Sequence, residues 1–233
     1  MTLLSQTTTT PCPVKIDEEG VPYLSIPNHP ELRLTPYLET DDDDLIKLFN
    51  DPEIGKWSWR RPYPYTVEHM DFVTSALPQR QALVKLITET LPNPVPLTKF
   101  DSRYFPFGVL RHVPSGRLIG DMYVGPTSSF SHSTVEVEEG GTQFEDGEVW
   151  EMAYNVSSQW QGKGVGSAMI KTTLEYLKWQ GVKKVNATAE VINAPSGGVL
   201  RKNGFKQVKI IQLVWPEEKG GMTKDCYSFE QLL

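Results

Sequence analysis

Gln161-Gly162-Lys163-Gly164-Val165-Gly166 places three glycines within five residues at the head of a long amphipathic segment. Glycine lets a backbone come close to a phosphate, and the free N–H groups of a helix's first turn, aided by its dipole, bind anions. Lys163 adds a point charge to the same loop. The chemistry this predicts is the grip of a phosphate-bearing cofactor. A P-loop requires GxxxxGK[ST], and here Gly164 follows Lys163, so that mode is excluded. Gly162, Gly164 and Ser167 imitate GxGxxG, and Glu190 falls where a ribose-binding acid would stand, so an NAD(P)-binding oxidoreductase is a second reading. The long polar stretch from Val156 to Gly162 and the lack of a regular βαβ series around it weigh against that reading.

Other groups have the types for chemistry but lack the spacing. Asp41 to Asp44 offer carboxylates to a metal, yet Leu45, Ile46, Leu48 and Phe49 follow at helical spacing, so helix capping explains the run better. His29, His69, His112 and His132 are scattered without ligand or triad spacing, and Cys12 and Cys226 form no metal cluster, so no metal is expected. Two cysteines also exclude a disulfide framework.

The elements that must hold the glycine loop follow from periodicity. Val149 to Val156 reads as a strand before it, and a helix from about Gly164 to Gln180 follows. Val165, Met169, Ile170, Leu174 and Leu177 form that helix's apolar stripe, while Lys171, Glu175 and Lys178 face water. A strand from Lys184 to Val191, a short helix before Asn203-Gly204-Phe205, and strands near 206–215 and 224–230 close the chain. Upstream, Leu32-Arg33-Leu34-Thr35-Pro36 begins a strand, Thr66 to about Ala76 a helix, and Ala82 to Leu91 another. Tyr104–Arg111 and Arg117–Val124 read as strands joined by a turn at Pro114-Ser115-Gly116. A mixed α/β or α+β sheet results. Residues 1–30 read as an N-terminal extension in which 21–26 is a candidate edge strand, and 31–233 as one domain with insertions near 77–104 and 126–147.

Composition narrows the classes further. Of 233 residues, 39% are hydrophobic and 22% charged, which suits a folded soluble chain. The net charge of −6 disfavours nucleic acid as the principal partner. No apolar run approaches the roughly 18 residues of a membrane span, and no signal peptide is evident, so the expected location is cytoplasmic, or nuclear.

Taken with other segments, the loop resembles the acetyl-CoA motif [Q/R]-x-x-G-x-[G/A] of the Gcn5-related N-acetyltransferase (GNAT) superfamily, filled by Gln161, Gly164 and Gly166. Asn193-Ala194-Pro195-Ser196 and Leu200-Arg201-Lys202-Asn203-Gly204-Phe205 resemble its N-x-x-S…L-x-K-x-G-F segment. Asn50-Asp51-Pro52-Glu53, Pro64-Tyr65-Thr66 and Arg117-Leu118-Ile119-Gly120 are similar to the branch containing ribosomal-protein N-terminal (alanine) acetyltransferases. The resemblance implies a GNAT sheet splayed at the acetyl-CoA site, and transfer of acetyl from acetyl-CoA to a primary amine by direct attack. It implies Glu151 as base, ten residues before Gln161, with Glu148 as second choice. Tyr154, Asn155 and Val156 would offer backbone groups to the pantetheine and thioester oxygen, Gln161 through Gly166 would hold the phosphates, and Asn193 and Lys202 would belong to the cofactor site. Ser196 would sit near the thiol, and since Leu200 occupies the place of the family's general-acid tyrosine, protonation of the thiolate would fall to Ser196, to a water, or to nothing. A non-catalytic CoA-binding sensor is the third reading. Gly197-Gly198 departs from the pattern and predicts a late helix start.

For the acceptor, two segments are expected to flank the cleft. One is the aromatic stretch Trp57-Ser58-Trp59-Arg60-Arg61-Pro62-Tyr63-Pro64-Tyr65. The other is Glu136–Glu148, which holds Glu136, Glu138, Glu139, Glu145, Asp146 and Glu148 without a lysine or arginine. Together they suggest a cationic amine, either a protein N-terminus or a small polyamine-like molecule.

Overall fold

The computed structural model describes residues 11–59, 61–95, 105–126 and 147–233. Nine strands among them form one sheet: β1 (Val14–Ile16), β2 (Pro22–Ser25), β3 (Leu32–Thr35), β4 (Val109–His112), β5 (Arg117–Pro126), β6 (Val149–Val156), β7 (Lys184–Glu190), β8 (Lys206–Val214) and β9 (Thr223–Leu232). Their order is β1-β2-β3-β4-β5-β6-β7-β9-β8, and every neighbouring pair is antiparallel except β6 with β7. The helices are α1 (Asp42–Phe49), α2 (Pro52–Gly55), α3 (Asp71–Thr74), α4 (Leu77–Thr90), α5 (Val165–Gln180) and α6 (Ala194–Lys202). None of the described helices is long and apolar enough to cross a membrane.

The pleat sends successive side chains to opposite faces, and each face has its own apolar cluster. Leu110, Met122, Val124, Trp150 and Met152 pack with the α5 stripe of Val165, Met169, Ile170, Leu174 and Leu177. Val109 and Leu118 pack instead against Leu45, Leu48 and Phe49 of α1, with Ile54, Tyr65, Met70 and Val73. Lys171, Glu175 and Lys178 are exposed, as the α5 periodicity predicts.

Local chemistry explains where the elements depart from expectation. Within the first thirty residues, β1 and β2 form a hairpin that lengthens the sheet through β3, and Leu24 is wholly buried. β4 starts at Val109 rather than near Tyr104: Phe105 and Phe107 turn their rings edge-on to Tyr176 of α5, and Pro106 between them has no N–H for a ladder. The helix expected from Thr66 is broken into a short turn at Val67–His69 and then α3. The apolar helix begins at Leu77, with Pro78 in its first turn.

The aspartate run does more than cap a helix. Asp41 is 2% exposed and takes both terminal nitrogens of Arg111, each at 2.7 Å. Asp44 takes Arg117 at 2.7 Å, and Asp42 accepts from the Tyr37 hydroxyl at 2.8 Å. Asp41, the N-cap of α1, makes no side-chain cap there and accepts instead from the Leu38 amide at 2.8 Å. The two arginine pairs fasten the start of α1 to the β4–β5 hairpin, and the described residues hold no metal-binding cluster.

Candidate active site

β6 and β7 begin side by side and then part. Their pairing joins Val149–Met152 to Lys184–Ala187 and stops there. Beyond that point Ala153–Val156 stays paired to β5, while Thr188–Glu190 stays paired to β9. The sheet therefore opens into a wedge whose inner backbone edges carry no ladder bonds to each other. At its mouth the Gln161 side-chain amide donates to the Val156 carbonyl at 2.9 Å, so Gln161 ties the glycine loop to the end of β6.

The loop itself has the conformation that its glycines permit. Gly162 and Gly164 lie in the left-handed region at φ 72° and 80°, where a side chain is strained. Gly164 caps α5 with no side-chain hydrogen bond, leaving the amides of Val165, Gly166 and Ser167 at a sixteen-residue helix's positive end. Gly162, Lys163 and Gly164 are exposed, and the Lys163 ammonium stands 5.3 Å from the Trp160 ring. Gly166 is the exception: it is helical, and an added Cβ would meet Tyr154 and Val156 only at 3.9 Å.

Tyr154 points to the α5–α6 side and brings its hydroxyl to 3.1 Å from Ser196 Oγ. Burial pushes the Tyr154 phenol above its ordinary value, against a smaller lowering by Ser196. The sequence expectation for α6 needs correcting. The helix starts at Ala194, before both glycines, because the Asn193 side chain accepts from the Ser196 amide at 3.2 Å and caps it. Asn193 and Ser196 still line the cavity described below, with Leu200 buried beside them. Lys202 is exposed in the last turn of α6 and lies outside that cavity.

A cavity of about 890 Å³ runs through the wedge from one sheet face to the other. On the α1 side its floor is a grid set by register. Glu151 pairs across to Gly125 and to Asn186, Asn155 pairs with Asp121, and Val109 of the α1-side cluster also lies opposite Asp121. Glu151 thus stands where the pairing ends, and Asn155 at the open end of the wedge. Its wall is the expected aromatic segment: Trp57, Trp59 and Tyr65 line it, with Trp59 held by its indole N–H on the Val214 carbonyl at 2.9 Å.

Asp121 was not singled out by motif. It accepts from Asn155 Nδ2 at 2.7 Å, and burial pushes its carboxyl above the ordinary range despite the nearby charges of Arg61 and Arg80. The signal that could have found it is an acid breaking the run Leu118-Ile119-Gly120 and Met122-Tyr123-Val124 inside a strand.

The acidic segment fares differently. Residues 136–146 lie outside the described residues, and Glu148 does not line the cavity. The described lining sets Asp121, Glu151, Glu190 and Glu230 against Arg61, Arg80, Lys184 and Lys209. Lys184 pairs with Glu230 at 2.9 Å, and Lys224 with Glu190 at 3.0 Å. The described wall therefore supplies no negative excess.

A family model described as acetyltransferase (GNAT) domain matches residues 31–206. The chain belongs to the GNAT acetyltransferase family. Comparison with curated proteins finds none that matches. Among solved structures, the ribosomal-protein-S5-alanine acetyltransferase of Vibrio fischeri superposes with a TM-score of 0.57 at 17% identity, over 87% of this chain and 93% of that one. AAC(6')-Ib, solved with ribostamycin and coenzyme A, gives 0.56 at 16% identity, over 86% and 92%. The yncA protein of Salmonella typhimurium, solved with its cofactor acetyl-CoA, gives 0.56 at 17%, over 87% and 94%. These neighbours share the fold. Family membership makes the protein an acetyl-CoA-dependent acetyltransferase and sets the dinucleotide reading aside. The wedge, the exposed first-turn amides of α5 and the left-handed Gly162 and Gly164 suit a long phosphate-bearing thioester, so the GNAT co-substrate has a place in this chain.

Proposed function

We propose that the protein acetylates a primary amine, a peptide N-terminus or a small amine, by direct attack on the thioester. The observation supporting this most directly is the cavity's passage through the wedge: Tyr154, Asn193 and Ser196 line one side, and Glu151, Asp121 and Asn155 the other. A thioester entering from the α5 side meets an amine entering from the α1 side.

Each residue then has a task. The amides of Gly162, Lys163, Gly164, Val165 and Gly166 hold phosphates, and Gln161 fixes the loop that presents them. Of the expected Tyr154, Asn155 and Val156, the strand alternation turns the backbone N–H groups of Tyr154 and Val156 to the open edge, and these stabilise the carbonyl oxygen as it gains charge, while Asn155 faces β5. The amine nitrogen bonds to the carbonyl carbon while the carbon–sulfur bond breaks and its electron pair leaves with sulfur. Glu151 takes the amine proton, directly or through water. The Tyr154–Ser196 hydroxyl pair supplies the proton that the departing sulfur needs, filling the role left open by Leu200. Lys202, on the outer surface, contributes only at the cofactor's far end.

The test is a thiol-release assay with acetyl-CoA across primary amines and N-terminal peptides. Turnover with at least one amine is expected; acetyl-CoA binding without thiol release across the panel would overturn the reading. Glu151→Gln should then lower kcat/KM by about 10²-fold or more. The loss should be greatest below the acceptor's pKa and leave acetyl-CoA affinity intact. An unchanged pH–rate profile removes Glu151 from the role.

A further inference from the structure

Arg61, among the described residues of the cavity lining, neither makes a hydrogen bond nor meets an acid at salt-bridge distance. It follows the aromatic stretch onto the α1 side, where its guanidinium carbon lies 3.3 Å from the centre of the Phe49 ring. A guanidinium carbon this close to an aromatic ring is held by the ring while its N–H donors stay available to other partners. Among the described residues none of those donors is used, and Nη1 is buried without a partner. Asp121 attracts Arg61 through space but gives its oxygen to Asn155. Burial holds the Asp121 carboxyl toward its neutral form, so it compensates the guanidinium only in part.

A buried donor without a partner is rare in a folded protein and marks a place where something else completes the bond. A planar guanidinium fork matches a planar carboxylate through two parallel N–H···O bonds. The neighbouring Asp121 makes the place poor for a multiply charged phosphate and adequate for a single negative charge. Arg61 stands with Asp121 at the open end of the wedge, beside Asn155, while Glu151 stands at its closed end. An acceptor spanning the two would offer its amine to the wedge and an anionic group to Arg61.

We infer that Arg61 is a specificity-determining residue that receives a carboxylate of the acceptor, so that the preferred substrate is a carboxylate-bearing amine. This rests on the reading that the cavity receives the amine, and it replaces the cationic acceptor suggested by the acidic segment of the sequence. The carboxylate could belong to a free amino acid or to an acidic first residue of a peptide; the chemistry recognised is the same.

The experiment uses the full chain with saturating acetyl-CoA and matched acceptors. These are β-alanine against β-alaninamide, an aspartate-initiated peptide against its asparagine-initiated twin, and 1,3-diaminopropane as a cationic control. The carboxylate member of at least one pair should be favoured by about tenfold or more in kcat/KM, mainly through KM. Which pair responds separates the free amino acid from the peptide. Arg61→Met, which keeps an apolar stem on Phe49, should erase the preference while acetyl-CoA affinity is retained, and Arg61→Lys should restore part of it. Equal use of both members in both pairs, preference for the diamine, or a preference that survives Arg61→Met would overturn the inference. Acetyl-CoA binding and thiol release with any amine test the transferase reading separately. If no acceptor of the panel is turned over, tryptophan fluorescence of the CoA-saturated protein titrated with β-alanine and its amide decides. Carboxylate-selective quenching lost in Arg61→Met supports the inference, and its absence overturns it.

Discussion

The hydroxyls of Tyr154 and Ser196 meet at 3.1 Å where β6 peels away from β7. One comes from the strand that lines the wedge and the other from the first turn of α6, whose position is set by the Asn193 cap. The pair therefore reports on the seating of α6 against the sheet as well as on chemistry. Because burial keeps the phenol protonated, it can donate to a sulfur that leaves with a negative charge.

Tyr154→Phe should lower kcat by about 10- to 100-fold, at the low end of general-acid contributions. Its acetyl-CoA affinity should stay close to that of the parent. Ser196→Ala should cost less, since the phenol remains. Because the two hydroxyls act as one unit, the double variant should be no slower than Tyr154→Phe alone. Additive losses in single-turnover kinetics would show that the two act independently.

Gly164 and Gly166 make opposite predictions for one substitution. At Gly164 nothing lies within 4 Å of a new Cβ, yet φ is 80°, so alanine there is strained by the backbone alone. Gly164→Ala should lose roughly 1–2 kcal/mol of stability and weaken acetyl-CoA binding; Gly164→Trp should abolish that binding. Gly166 is helical and an alanine fits at 3.9 Å from its neighbours. Gly166→Ala should gain up to about 1 kcal/mol in the ligand-free protein. Thermal unfolding with and without acetyl-CoA distinguishes the two positions.

The glycine loop and the helix behind it could be read from sequence because their chemistry is local. Left-handed glycines, a helix start and an apolar stripe all fall within about twenty consecutive residues. What could not be read is what joins distant parts of the chain. Tyr154 and Ser196 are 42 residues apart, and Asp41 and Arg111 are 70 apart. No periodicity ties such pairs together. Asp121 looked like an ordinary strand acid until the β4–β5–β6 register set it between Val109 and Asn155. Arg61 was hidden among aromatic residues whose packing explains them without a ligand. That its Nη1 is buried without a partner among the described residues is visible only in the folded chain.

Arg111 gives a stability prediction independent of the cavity. It holds Asp41 through two bonds of 2.7 Å and also donates to the Gly116 carbonyl and the Thr35 hydroxyl. Removing one partner of a buried pair leaves the other charge uncompensated. Arg111→Met should cost about 3–5 kcal/mol in urea unfolding. Asp41→Asn combined with Arg111→Met should lose clearly less than the two single losses added together, since no isolated charge remains. Strict additivity would mean that the pair is not coupled.

Asp121 ties stability to pH with a definite sign. Burial raises its carboxyl above the ordinary 3.8, more than Arg61, Asn155 and Arg80 lower it. A carboxyl that holds its proton more tightly when folded favours the folded state at low pH. Stability then declines as pH rises from the ordinary aspartate range through the raised value, and the deficit is complete above it. Asp121→Asn keeps an oxygen for Asn155 to donate to and carries no charge to bury. It should therefore raise Tm relative to the parent at neutral pH, and the difference should vanish at about pH 3, below the ordinary range. The attraction of Arg61 is already contained in that net shift: it acts only where Asp121 is ionised, so it makes the gain at neutral pH smaller and fades with it toward acid. A Tm difference that is flat across this range, or that grows toward acid, would show that Asp121 is charged at no cost in the folded protein.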